Sequence, residues 1–177
     1  SQDQAEHLTL GGGIGAQRYP MLWAGDQRRE WASLDAILKA SLSSGLSGIP
    51  FMCHDLGGYV PAAESSPDVE ADVFVRATQL ACFGPCMQTH GTVTRPYDFD
   101  DDTVAIYRLY SKIHCVLMPY LVEQAWMASE KGLPLMRHMI LEFPNDEAVF
   151  DLEDQYMLGD AFLVAPVLSP VDSRSVY

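Results

Sequence analysis

Positive charge is scarce in this sequence: 11 Lys and Arg stand against 24 Asp and Glu, for a net charge of −13 over 177 residues. A phosphate backbone or an anionic bilayer surface would be repelled, and no basic stripe offsets that, which argues against nucleic acid and membrane as partners. Long apolar runs are also missing. No stretch reaches the roughly 18 residues that a bilayer-spanning helix needs. The opening residues SQDQAEHLTL lack a basic segment followed by an apolar one, so no signal peptide is expected. Cysteine is sparse, with Cys53, Cys82, Cys86 and Cys115 each set in apolar surroundings. Buried thiols are the expectation in preference to disulfides, which points the compartment towards the cytoplasm. No repeat of solenoid type is present. What the chain does have is 48% apolar and 20% charged residues, enough for a packed core and against disorder.

The order of patterns is that of strands followed by helices. Glycines at 11–13 and 15 mark a loop, and PMLW at 20–23 reads as a short strand ending in the polar turn Ala24-Gly25-Asp26-Gln27. From Trp31, the residues Leu34, Ile37, Leu38 and Leu42 follow helical spacing, with Gly45 as the expected C-cap. An apolar run at 49–53 ends at His54-Asp55 and the Gly57-Gly58 turn. A polar loop at 61–68 precedes a helix over 69–82, which Pro85 breaks, and 86–90 reads as another short strand. The acidic residues from Asp98 to Asp102 start a long helix carrying Val104, Tyr107, Tyr110, Ile113, Leu117, Tyr120 and Leu121, bent at Pro119. Segments 133–141 and 162–168 read as further strands. Such alternation belongs to an α/β barrel or a doubly wound sheet, whose chemistry sits at the C-terminal strand ends. Those ends carry Asp26, His54-Asp55 and His90. A full barrel of eight units takes about 250 residues; the three or four units visible here read as part of one.

Glycoside hydrolysis needs two carboxyl groups across the scissile bond, one of them protonated. A carboxylic acid beside an aromatic wall has its charged form disfavoured, and Trp23 stands three residues before Asp26. From spacing alone, however, Asp26 reads as an ordinary turn residue.

A resemblance adds to this. The stretch RYPMLWAGDQRREWASLDAILKASLSSGLSGIPFMCHDLGGY resembles glycoside hydrolase family 31, with its W-x-G-D element, helix, G-x-S/T-G and strand ending in D-I-G-G-F/Y. RATQLACFGPCMQTHG is similar to the family's R-W-x-x-x-x-x-F-x-P-x-x-R-x-H segment. LMPYLVEQAWMASEKGLPLMRHMILEFPND and DQYMLGDAFLVAPVL resemble the barrel end and the first strand of the β-domain that follows. The resemblance implies an α/β fold: the last strand–helix units of a partial (β/α)8 barrel in residues 1–160, running into a C-terminal β-domain from 161 to 177. It implies a retaining α-glycosidase that needs no cofactor and no metal and acts on an α-linked oligosaccharide or glycoside. Asp26 matches the general acid/base, Trp23 an aromatic lining the sugar site and Asp55 a carboxylate that orients the site. Tyr59 matches an aromatic wall, and His90 the histidine that binds sugar hydroxyls. The family's nucleophilic aspartate lies on a W-x-D-type element absent from this sequence, so the expected partner is the missing N-terminal half of the same enzyme. Other departures are Leu10 in place of an arginine, Ala77 in place of a tryptophan and Gln88 in place of the arginine of R-x-H. GDQ and GGY resemble the sulfoquinovosidase branch of the family, and a non-catalytic carbohydrate-binding relative or an inactive truncated product is the other class in view.

Several sharper patterns fall away. Cys82, Cys86 and His90 are four apart, but Pro85 breaks the helix that would align them for zinc and no fourth ligand follows at a suitable spacing. The glycine cluster precedes a strand and does not open a helix, so it is no phosphate cradle. The acidic run lacks the loop glycine and terminal glutamate of a calcium loop. His114, His138 and the tyrosines at helical spacing belong to packing.

Overall fold

A computed structural model describes residues 8–10, 15–18, 21–63, 68–91 and 93–177. The glycines at 11–13 and residues 64–67 of the polar stretch at 61–68, assigned to loops, therefore lie outside the described residues.

Three short strands, β1 (Leu8–Leu10), β2 (Met21–Trp23) and β3 (Met52–Cys53), form a parallel sheet in that order. Leu10 pairs with Trp23, and Trp23 with Cys53. Between β2 and β3 runs α1 (Trp31–Leu46), whose buried face is Leu34, Ile37, Leu38 and Leu42 as the spacing requires. Gly45, expected as its cap, lies inside the helix. The backbone N–H of Ser47 still reaches the carbonyls of Ser43 and Ser44, which carries the last turn onward.

α2 (Ala71–Cys82) leads back to the sheet. The strand expected over 86–90 is reduced to one parallel bridge between Gln88 and Asp55. Pro85 has no N–H to add a rung before it, and the carbonyl of His90 is taken by a turn to Val93 and Thr94 after it. α3 (Asp101–Lys131) then starts at Asp100, whose carboxylate caps Thr103 N at 2.9 Å. It runs through Pro119 and ends at Gly132, whose φ is +71°.

Beyond α3 the pairing changes hand. β4 (Met136–His138), β5 (Tyr156–Leu158) and β6 (Phe162–Val164) form an antiparallel sheet. Both segments expected as longer strands are shorter. After β4 the ring Nδ1 of His138 accepts Ile140 N and starts a 3-10 turn at Met139–Leu141, and Pro166 follows β6 closely. The architecture is part of an α/β barrel passing into a separate C-terminal β-sheet domain.

Two apolar clusters hold the layers together. Leu38, Leu42, Leu80, Leu121, Leu135, Tyr156 and Leu158 join the helices to the antiparallel sheet. Leu34, Leu56, Phe74, Ala77 and Ala81 pack beside the parallel one. Each fully buried leucine or phenylalanine among them contributes about 1.5–3 kcal/mol. Phe74 stacks on Phe99 at 4.4 Å, and Tyr107 continues the stack at 5.8 Å. The buried hydroxyl of Tyr156 donates to Phe83 O at 2.8 Å, fastening β5 to the end of α2.

None of the cysteines forms a disulfide, but they are not uniformly buried. Cys53 and Cys82 are enclosed, Cys86 is half-buried and Cys115 is exposed, because it falls on the outward side of α3. Burial pushes the Cys82 thiol up to about 11. No helix among the described residues is long and apolar enough to cross a membrane.

Candidate active site

Strand alternation decides which residues face the site. Successive side chains on a strand point to opposite sides, and register partners on neighbouring strands point to the same side. Trp23 is opposite Cys53, and Asp55 is opposite Gln88. Asp55 therefore shares a face with Cys53, and His54 takes the other. The result is a division of the His54-Asp55 tip. His54 lines a small internal cavity with Ile37, Leu38, Leu80 and Ala81, and burial holds its imidazole below the ordinary range. Asp55 lines an open cleft.

That cleft has a volume of about 440 Å³ and is lined by Trp23, Asp55, Gln88, Thr89, His90 and Gly91. Three of the five residues singled out from sequence are thus brought together: Trp23, Asp55 and His90. Tyr59 joins through His90, with ring centroids 4.6 Å apart and planes tilted by 55°. Asp26 is not among the lining residues. It stands exposed on the bend that follows β2.

Asp55 is only 4% exposed. Its Oδ1 accepts a hydrogen bond from Gln88 Nε2 at 3.0 Å. Its Oδ2 has no partner among the described residues, and neither does the indole Nε1 of Trp23. Two positions before this pair in each chain segment stand Cys53 and Cys86. The Cys86 side chain beside it, together with burial, pushes the Cys53 thiol up, which disfavours its thiolate. No group of three or more His, Cys, Asp or Glu suited to a metal occurs among the described residues. The arrangement offers buried hydrogen-bonding groups, aromatic surface and an imidazole, a set suited to a polyhydroxylated ligand.

The Asp26 bend is not an isolated loop. The carbonyl of Gln27 accepts both Tyr59 N at 2.8 Å and Val60 N at 2.9 Å, and Arg29 N returns a bond to Val60 O at 2.9 Å. The buried Arg29 donates from Nε to Tyr59 O at 3.1 Å. This contact depends on Gly58, which has φ +81° and would place a Cβ 2.7 Å from the Arg28 carbonyl oxygen. Gly132, at φ +71°, has no described atom within 4 Å of such a Cβ. Gly132→Ala should therefore carry only the left-handed backbone cost of about 1–2 kcal/mol, whereas Gly58→Ala adds a backbone collision. Thermal melts of the two variants of the complete protein should show the larger drop for Gly58→Ala. Equal drops would mean that the two loops part without cost.

Sequence reasoning assigned no role to Gln88, Thr89 or Gly91. The available signal was register: a strand two residues past Cys86 that pairs with Asp55 must put Gln88 beside the carboxylate.

Comparison with known proteins bears on this geometry. Residues 2–124 match the family model described as the glycosyl hydrolases family 31 TIM-barrel domain, and residues 132–177 the glycosyl hydrolase family 31 C-terminal domain. An alpha-xylosidase of Saccharolobus solfataricus is 33% identical over 176 residues, covering 96% of this chain and 24% of the relative. A sulfoquinovosidase of Escherichia coli is 34% identical over 165 residues, covering 88% of this chain and 24% of the relative. Among solved structures, a cycloalternan-degrading enzyme from Trueperella pyogenes in complex with a covalent intermediate superposes with a TM-score of 0.82 at 30% identity, over 92% of this chain and 24% of that one. The chain spans about a quarter of the length of each of these three relatives.

Proposed function

This chain belongs to glycoside hydrolase family 31, and on that premise we propose that the protein is a retaining α-glycosidase with Asp26 as its general acid/base. The observation that carries the glycosidase reading is the cleft itself, while the role of Asp26 rests on its place in the W-x-G-D sequence. Trp23, Asp55 and His90 meet in the cleft from the C-terminal ends of neighbouring parallel strands, where barrel enzymes place their chemistry. The covalent intermediate named for the Trueperella pyogenes relative supports double displacement.

In that reaction an acid protonates the departing oxygen while a carboxylate attacks the anomeric carbon. The same acid then works as a base on the incoming water. Asp26, exposed at the strand tip, gives its proton to the departing oxygen in the first step and takes one from the attacking water in the second. His90, steadied by the Tyr59 ring, binds sugar hydroxyls, contacts that help the rate where they tighten in the transition state. Trp23 supplies apolar wall. The nucleophile comes from a strand of the same barrel that is not in this sequence, so the rest of that barrel is the partner. The chemistry needs no cofactor.

The test is a product-anomer assay. Aryl α-glucoside and α-xyloside should be hydrolysed by the complete protein with the α-anomer released first, as seen by proton NMR in the first minutes. A β-anomer first, or no turnover of these substrates or of an aryl α-sulfoquinovoside, refutes the proposal. A second reading of the substrate is a sulfoquinovoside. It is favoured by the GDQ and GGY sequences at Asp26 and Tyr59 and by the likeness to the Escherichia coli sulfoquinovosidase. An aryl α-sulfoquinovoside in the same assay discriminates the two by relative kcat/KM.

A further inference from the structure

Asp55 is a buried carboxylate with one oxygen engaged and one not. Its Oδ1 is bound by Gln88 Nε2 at 3.0 Å, and its Oδ2 is buried without a partner among the described residues. Buried polar atoms are almost always paired, and an exception beside a cleft calls for a partner that the described residues do not supply. Asp55 and Trp23 both line the cleft, and Trp23 Nε1 is a second orphan there, a donor where Asp55 Oδ2 is an acceptor. One hydroxyl group meets both needs, since its O–H donates while its lone pairs accept.

Gln88 is what leaves that oxygen open. A carboxamide offers Asp55 a single N–H from Nε2, whereas an arginine at the same place presents a fork that engages both carboxylate oxygens together. Register fixes the pair. The Gln88–Asp55 bridge holds the two backbones side by side, and Leu56 N donates to Gln88 O at 2.9 Å, so the two side chains start from fixed, neighbouring positions.

We infer that Gln88 is a positioning and specificity-determining residue: by holding Asp55 through Oδ1 alone, it turns Oδ2 into the acceptor for one particular hydroxyl of the bound sugar. The inference rests on the glycosidase reading above and goes beyond it, because it makes Asp55 a direct contact of the substrate and assigns its direction to Gln88.

The experiment is a series of aryl α-glycosides, each lacking one ring hydroxyl, with the complete protein and its Gln88→Arg and Gln88→Met variants. A hydrogen bond from a hydroxyl to a charged acceptor is expected to discriminate by about tenfold to a hundredfold. In the wild type, one deoxy substrate should therefore lose about tenfold or more in kcat/KM. In Gln88→Arg that one penalty should collapse, with the other deoxy penalties unchanged, because both oxygens of Asp55 are then occupied. Gln88→Met, which holds neither oxygen, should erase the same penalty and guards against a misfolded arginine variant. A purely structural Gln88 would instead lower kcat/KM for every substrate by one common factor, and that result overturns the inference while leaving the glycosidase reading intact. If the wild type turns over none of the parent glycosides, the glycosidase reading fails. The carboxyl carbon resonance of Asp55, labelled in the complete protein, then decides. A shift on adding methyl α-glucopyranoside that Gln88→Met abolishes sustains the inference; no shift overturns it.

Discussion

Asp26→Asn in the complete protein is expected to lower kcat/KM on an alkyl α-glycoside by about 10²- to 10⁴-fold, the usual worth of general acid catalysis. A sugar alcohol or alkoxide leaves poorly without a proton, so its departure depends fully on the acid. A nitrophenolate leaves with little protonation, so formation of the glycosyl-enzyme from a nitrophenyl substrate should suffer far less. Deglycosylation then becomes slow, because the same side chain must take a proton from the attacking water. The expected signature is a burst of nitrophenolate followed by a slow steady state. Azide attacks without a general base and should restore turnover, giving an α-configured glycosyl azide. His90→Ala separates cleanly from this pattern, since losing hydroxyl contacts lowers kcat/KM for good and poor leaving groups alike. Stopped-flow release of nitrophenolate with and without azide provides the measurement. Equal losses on both substrate classes and no response to azide would remove Asp26 from the acid/base role.

The 177-residue chain by itself should hydrolyse no aryl α-glycoside. Retention requires a second carboxylate about 5–5.5 Å from the acid/base. Asp55 is a poor replacement for it, being 4% exposed and tied through Oδ1 to Gln88. The isolated chain also leaves apolar surface uncovered. Val116 is 80% exposed, Tyr97 72% and Trp126 67%. Patches of that kind favour association and dye binding over a clean monomer. Incubating purified chain with nitrophenyl α-glucoside, alongside its Asp26→Ala variant, checks the expectation. Turnover that disappears in the variant would mean that the catalytic set is complete within these residues.

Much of this was readable from residues alone, and the parts that were not have physical causes. α1 and α2 declared themselves through Leu34, Ile37, Leu38 and Leu42 and through the apolar positions between Val73 and Cys82, since helical periodicity accumulates over several turns. Strands of two or three residues, such as β3 and β5, are too short for alternation to build a signal. The stretch around Gln88 was legible as extended chain but not as a single bridge, because what ends it is a turn at His90 stabilised three and four residues later. Of the site, Asp55 and His90 were found as strand-end residues, and motif likeness added Trp23 and their roles. Their meeting in one cleft, and the exclusion of His54 from it, follow from pairing register, which no local pattern encodes. Gln88 was noticed only as a substitution at an arginine position. Its bond to Asp55 is a contact between strands, invisible until the strands are laid side by side.

The stitching of the Asp26 bend to the Tyr59 loop has a practical consequence for engineering. The carbonyl of Gln27 serves two amides of the second loop, and Gly58 leaves no clearance against Arg28. A graft that imports only one of these loops from another enzyme breaks backbone hydrogen bonds on both sides of the seam and brings in a mismatched curvature. The exchangeable unit is the pair, residues 24–30 together with 55–62, moved as one cassette. Libraries that randomise the two loops independently will sample mostly combinations whose backbones do not fit.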